Sequence, residues 1–210
     1  MLLVATVVGS GIMAQRLSTD GSLVLLCNTL ATVGILVALI TAFGPISGAQ
    51  FNPVVTLIDA ALAGTRRRPA VRLATVIAAQ VAGAVVGAIA ANVMFGYPTF
   101  EWSKHVRHGG PMWFAEAVAT FGLIVVIFTT VRSRHASHIA GVVGGYIGAA
   151  YFFTASTSFA NPAVTVGRMF SNSYAGIAPS SAFLFVVMQL AGGIVGFCAL
   201  AMLDPTPKGP

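Results

Sequence analysis

The chain carries one eleven-residue phrase twice, and this repetition limits its possible folds more than any other feature. Ser47-Gly48-Ala49-Gln50-Phe51-Asn52-Pro53-Val54-Val55-Thr56-Leu57 returns as Ser156-Thr157-Ser158-Phe159-Ala160-Asn161-Pro162-Ala163-Val164-Thr165-Val166. Ser, Asn, Pro, Val and Thr stand in the same places in both copies. Asn52 and Asn161 are separated by half the chain, the spacing an internal duplication leaves. Asn-Pro is a helix-start signal, because Asn suits the N-cap and Pro suits the first helical position, where no N–H is needed. Behind each pair lies only a short apolar run, residues 53–63 and 162–170. At about 1.5 Å per residue the first makes a helix roughly 16 Å long, about half of a bilayer core of roughly 30 Å. Two capped half-length helices in a chain of this kind are expected to be re-entrant segments.

Hydrophobic residues make up 57% of the chain and charged ones 8%, and the mean hydropathy is +0.89, which excludes an ordinary soluble domain. A net charge of +6 would suggest nucleic acid in a soluble protein. Here it fits basic loops that face anionic lipid and fix topology, so the expected surroundings are a lipid bilayer and no nucleic acid. Cys27 and Cys198 both fall in apolar runs and are expected to be small buried hydrophobes, with no disulfide, metal or cofactor. The N-terminal apolar segment lacks a basic start, so no cleavable signal peptide is expected.

Apolar segments are expected over residues 1–15, 23–43, 70–95, 112–131, 139–154 and 178–203. The first falls short of the roughly 20 residues a spanning helix needs. Either it begins at the membrane edge, or the natural start lies upstream. The second is expected to close at Gly44-Pro45. Ala79, Gly83, Gly87 and Ala91 recur every four residues in the third, a small-residue face that allows close helix approach. Trp102 and Trp113 flank a polar loop, as interfacial aromatics do.

Six spans place both termini on one side. With Arg66, Arg67 and Arg68 inside, Arg72, Arg132, Arg134 and Lys208 join them, and Arg16, Lys104, Arg107 and Arg168 fall outside. This seven-to-four bias predicts cytoplasmic termini, a first re-entrant segment entering from the cytoplasm and a second from outside. Residues 1–210 then form a single channel domain of two inverted repeats, 1–95 and 112–203, each with three spans and a half-helix.

A helix N-terminus carries about half a positive charge and unpaired N–H groups. Two of them meeting at mid-bilayer repel cations, while the Asn52 and Asn161 amides can donate to a neutral polar molecule. The non-helical backbone before each asparagine is tolerated at that depth only if packed in protein or lining a wet cavity. The carbonyls of Gly48, Ala49, Gln50 and Phe51, and of Thr157, Phe159 and Ala160, are therefore expected to form a ladder of acceptors along a pore for small neutral solutes.

The chain resembles the aquaporin, or major intrinsic protein, family, in which two Asn-Pro-Ala boxes sit on inverted re-entrant half-helices within six spans. Ser47 to Leu57 is similar to the first box, with Val54 where the family usually has Ala and Gln50 where it often has His. Asn161-Pro162-Ala163 matches the second. The resemblance implies an all-α membrane protein of six transmembrane helices plus two half-helices, a homotetramer in a bacterial inner membrane, and a pore centre at Asn52, Asn161, Val54 and Ala163. The family usually places Arg directly after the second box, where this chain has Val164. Carried over by spacing, the other outer-filter positions are Thr32, Ala149 and Ser158. The implied filter is wide and less polar, favouring an aquaglyceroporin-like channel for glycerol, urea and water over a strict water channel. A bacterial subgroup linked to arsenic resistance is similar in losing this Arg, which adds uncharged metalloid and organoarsenical species.

Arg168, one turn beyond Val164, either lends charge to the outer vestibule or snorkels and binds a loop carbonyl. Glu116 is the one acid well inside a span, a functional candidate by default. The resemblance implies that it supports the re-entrant backbone, and the first half shows no partner Glu. Asp59 is expected at the cytoplasmic mouth. The His105/His108 and His135/His138 pairs are expected to be solvated loop residues, with gating or metal binding as the alternative. The rival functions are a secondary transporter coupled through Glu116 and an intramembrane enzyme. The chain lacks His-Glu-x-x-His, Gly-x-Ser-x-Gly and an acid pair, so no catalytic residue is assigned.

Overall fold

In lipid a backbone can satisfy its polar groups as helix or as a closed β-barrel, and among the described residues helix is what this apolar chain forms. The computed structural model describes residues 1–63, 70–133 and 135–203, and among these the only regular structure is helical. In order they are α1 (Leu2–Leu17), α2 (Gly21–Ser47), α3 (Pro53–Ala63), α4 (Ala70–Met94), α5 (Gly110–Arg132), a 3₁₀ turn (Ala136–His138), α6 (Ile139–Phe153), α7 (Pro162–Arg168) and α8 (Pro179–Met202). Arg66, Arg67, Arg68, Arg134, Lys208 and the tail 204–210 lie outside the described residues.

The α2, α4, α5 and α8 helices are long and apolar enough to cross a membrane by themselves. The α1 and α6 helices are shorter, at 16 and 15 residues. Asp20 caps α2 by accepting from the N–H groups of Ser22 and Leu23. The helix does not close at Gly44-Pro45 as the sequence suggests. Pro45 forfeits one backbone bond near the helix end, where little remains to be lost, and the helix runs on to Ser47. It stops at Gly48, whose φ of +78° suits glycine, with its N–H bonded to the Gly44 carbonyl. The second half-helix is also shorter than expected. After Arg168, the N–H groups of Met169 and Phe170 turn to the carbonyls three residues back, and the α-helical ladder ends.

Helix pairs α1–α4 and α5–α8 are the cores of the two halves, and α2 against α6 joins them. Both intra-half contacts depend on glycines, and the duplication sets Gly83 and Gly87 in register with Gly192 and Gly196. A Cβ on Gly87 would stand 2.3 Å from the Met1 carbonyl oxygen, and one on Gly192 2.2 Å from that of Ala117. Gly83 and Gly87 thus face α1, whereas Ala79, expected on the same contact face, is exposed. The half-helices lie between the halves: α7 packs on α4 and α8, and α3 on α8 and α4. Cys27 and Cys198, expected to be buried, are exposed on helix faces turned away from the core.

Candidate solute pathway

The two Asn-Pro corners meet and bond to each other. Asn52 Nδ2 donates to the Ala160 carbonyl at 2.8 Å, and Asn161 Nδ2 donates to the Phe51 carbonyl at 2.9 Å. Each Oδ1 turns back to cap its own half-helix, accepting from Val54 N–H in α3 and from Ala163 and Val164 N–H in α7. A carboxamide nitrogen has two N–H donors. One is used in this exchange, and the second is left for whatever occupies the space beside it.

The backbone leading into each corner is bent the same way. Gly48, Ala49 and Phe51 have φ of +78°, +46° and +36°; their counterparts in the second copy, Thr157, Ser158 and Ala160, have +62°, +48° and +49°. Left-handed backbone costs a non-glycine residue about 1–2 kcal/mol, so five such residues must be held by their surroundings. Ser47 and Ser156 hydroxyls accept the N–H two residues on, at Ala49 and Ser158. The Thr56 and Thr165 hydroxyls donate to the Asn52 and Asn161 carbonyls. Gln80 Nε2 then donates to Thr56, and Gln189 Nε2 to Thr165.

Glu116 breaks the symmetry. It is fully buried and accepts from Phe159 and Ala160 N–H, both at 2.9 Å, and from Gln189 Nε2. Gln80, in the matching place, leaves Oε1 buried without a partner. Glu116 is not part of the cavity wall.

A cavity of about 730 Å³ passes the Asn–Asn junction. One side is polar: Gly48, Ala49, Gln50, Phe51, Asn52, Ser158, Phe159 and Asn161 line it. The facing side is aliphatic, with Leu36, Ile40, Val143 and Ile147. At one end, expected to face the cytoplasm, Gln50 Nε2 donates to Asp59 at 2.7 Å. At the opposite end, expected to face outward, stand Thr32, Tyr151, Ser158, Val164 and Arg168.

Several sequence expectations need correction. Ala149 is exposed and does not line the cavity; Tyr151 does, its hydroxyl 3.1 Å from Thr32 Oγ1. Val143, Ile147 and Tyr151 recur every four residues on one face of α6, a row that overrides the spacing carried over from the family. This end of the cavity therefore carries a tyrosine, and is bulkier and more polar than four small residues imply. Val54 and Ala163 are not at the pore centre either. Val54 packs with Val55, Ile58 and Ile124, and Ala163 with Val4, Val8 and Ala88. Thr157 and Ala160 do not line the cavity, and the Ala160 carbonyl accepts from Asn52.

Arg168 donates through Nε to the Ala175 carbonyl and also lines the cavity, so loop binding and a place in the vestibule are not alternatives. The loop before α5 is drawn in beside it, with Arg107 bonded to the carbonyls of Gly176 and Tyr174. Burial, and then the charges of Arg107 and Arg168, hold the His105 imidazole below its ordinary pKa range. Sequence reasoning singles out none of Arg107, Tyr151, Gln80 and Gln189 as site residues. Gln80 and Gln189 do share the register of the two asparagines, so extending the repeat beyond its central phrase would find them.

Comparison with known proteins gives the family and the fold. Residues 1–160 match the family described as Major intrinsic protein. The chain is 48% identical over 202 residues to aquaglyceroporin AqpS of Rhizobium meliloti (strain 1021), covering 96% of this chain and 84% of that protein. It is 31% identical to aquaporin Z of Rhodopseudomonas palustris over 80% of this chain and 75% of that one. The aquaglyceroporin of Plasmodium falciparum has a similar fold, with a TM-score of 0.65 at 20% identity over 98% of this chain and 92% of that chain. This chain is therefore a multi-pass membrane protein of the major intrinsic protein family.

Proposed function

We propose that the protein is a passive channel for water and small neutral polar solutes such as glycerol and urea. The observation that carries this reading is the pair of Asn52 and Asn161 carboxamides beside one cavity, each with a donor to spare, opposite an aliphatic wall. A polyol satisfies both sides, with hydroxyls toward the amides and carbonyls and C–H groups toward Leu36, Val143 and Ile147. The relatives named for aquaporin and aquaglyceroporin activity support the same class. Val164 in place of a charged side chain favours solutes larger than water, and extends the class to uncharged metalloid and organoarsenical species. The proposed setting is a bacterial inner membrane, with cytoplasmic termini and a homotetramer carrying one pore per protomer. Coupled transport through Glu116 has less support, because that carboxylate is fully engaged with backbone and Gln189 away from the cavity.

Stopped-flow light scattering on proteoliposomes tests this, comparing water, glycerol and urea for the wild type and Val164→Arg. The wild type is expected to pass glycerol and urea, and the substitution to suppress both more than water. Equal water flux in both proteins, with no glycerol or urea flux in either, would sink the reading.

A further inference from the structure

Two arginines share one phenyl ring at the outer end of the cavity. The Arg168 guanidinium lies 3.4 Å from the Phe159 ring centroid, and Arg107 approaches the same ring at 5.2 Å. Both are buried, with 2% and 7% exposure. Their protein acceptors among the described residues are neutral carbonyls: Gly176 and Tyr174 for Arg107, Ala175 for Arg168. Among the described residues Glu116 is the one carboxylate whose field reaches either of them, and its oxygens are already taken by Phe159 N–H, Ala160 N–H and Gln189. Arg168 thus lines the cavity with a second buried cation close behind it and no carboxylate bonded to either, an arrangement that favours a mobile counter-ion.

The surrounding groups define what that ion must be. Among the described residues Arg168 bonds only through Nε, so its two Nη nitrogens form an open fork, and a guanidinium fork matches two oxygens of an oxyanion. Ser158 lines the same cavity, and its Oγ is buried without a partner among the described residues; turned to the cavity, it adds a hydroxyl donor. Thr32 and Tyr151 complete the polar rim. Below it Leu36, Ile40, Val143 and Ile147 offer nothing to replace an anion's hydration on that side.

We propose that the outer vestibule is a binding site for a small inorganic oxyanion, held by the Arg168 fork and Ser158 Oγ with Arg107 behind, and that an anion seated there obstructs solute entry. The site rests on the channel reading only through the obstruction. Arg107 is a positioning residue, since it holds the loop carbonyls and the ring that set the Arg168 fork.

The test is a calorimetric titration of the detergent-purified protein with sodium nitrate, against sodium gluconate as a bulky control. Glycerol flux is measured in proteoliposomes in the same two salts. The wild type is expected to bind nitrate saturably and gluconate not at all. Arg168→Gln should abolish nitrate binding, and Arg168→Lys, which keeps the charge but loses the fork, should weaken it about tenfold. Saturating nitrate should reduce wild-type glycerol flux at least by about half, given that one ion sits across the outer end. Wild-type protein with normal glycerol flux but no saturable nitrate binding overturns the site and leaves the channel standing. Saturable binding with no glycerol flux even in gluconate supports the site and removes the channel. Nitrate binding unchanged in Arg168→Lys, or bound nitrate that leaves flux unaltered, overturns the placement at the Arg168 fork.

Discussion

Glu116 has no exposure to solvent, and its partners are two backbone N–H groups and a side-chain amide. Those N–H groups belong to Phe159 and to Ala160, whose φ of +49° an L-residue tolerates only when neighbours insist on it. The carboxylate is what insists. Glu116→Gln removes one acceptor and points an amide donor at an amide donor, a cost of about 1–3 kcal/mol for a buried unsatisfied pair. The expected outcome is a lower thermal unfolding midpoint in detergent. A proton-coupled role would show the reverse pattern, with stability kept and a pH-driven flux lost. Residue-level legibility is uneven for a physical reason. Asn52, Asn161 and Glu116 announce themselves as polar groups in apolar runs, because each must be satisfied. Tyr151 and Ala149 lie two residues apart on one helix, and only the facing of α6 decides which of them lines the cavity.

At the scale of elements, the repeat extends well beyond the phrase that first shows it. Glycines, threonines, glutamines and left-handed residues recur in the register of the two asparagines, and they perform matching tasks in both halves. The all-helical, half-helix fold is legible because Asn-Pro marks where a helix must begin. Helix ends are harder to read. Pro45 sits where a breaker is cheap, and α7 ends through a tightening turn that no residue type signals. The α5–α8 contact gives a sharp prediction. A methyl on Gly192 would meet the Ala117 carbonyl oxygen at 2.2 Å, and backbone cannot yield as a side-chain tip can. Gly192→Ala should therefore sharply reduce the yield of monodisperse folded protein. Gly21→Ala, where nothing stands within 4 Å, should express as the wild type does. Equal yields from the two variants would mean that α5 and α8 are not packed backbone to backbone.

At the scale of the whole molecule, the channel reading requires that protons be kept out of a pore with no arginine directly after its second box. Both half-helices point their N-termini at the same place, where Asn52 and Asn161 reach across to each other's loop carbonyls. Each terminus carries about half a positive charge, so together they approximate one full charge in a low-dielectric surround. Arg168 adds formal charge further out along the same cavity. This field is expected to repel a hydronium ion at the centre whatever the bore, so the proton barrier should not depend on residue 164. Wild-type proteoliposomes carrying a pH-sensitive dye should acidify no faster than protein-free liposomes after an external pH drop. Asn161→Asp keeps an N-cap oxygen for α7 while cancelling the central positive field with a carboxylate. It should acidify faster than the wild type while remaining folded and monodisperse. A wild-type leak above the lipid background would show that the paired helix ends are too weak to exclude protons. An Asn161→Asp rate equal to wild type would show that exclusion lies elsewhere, with the outer arginines as the next place to look.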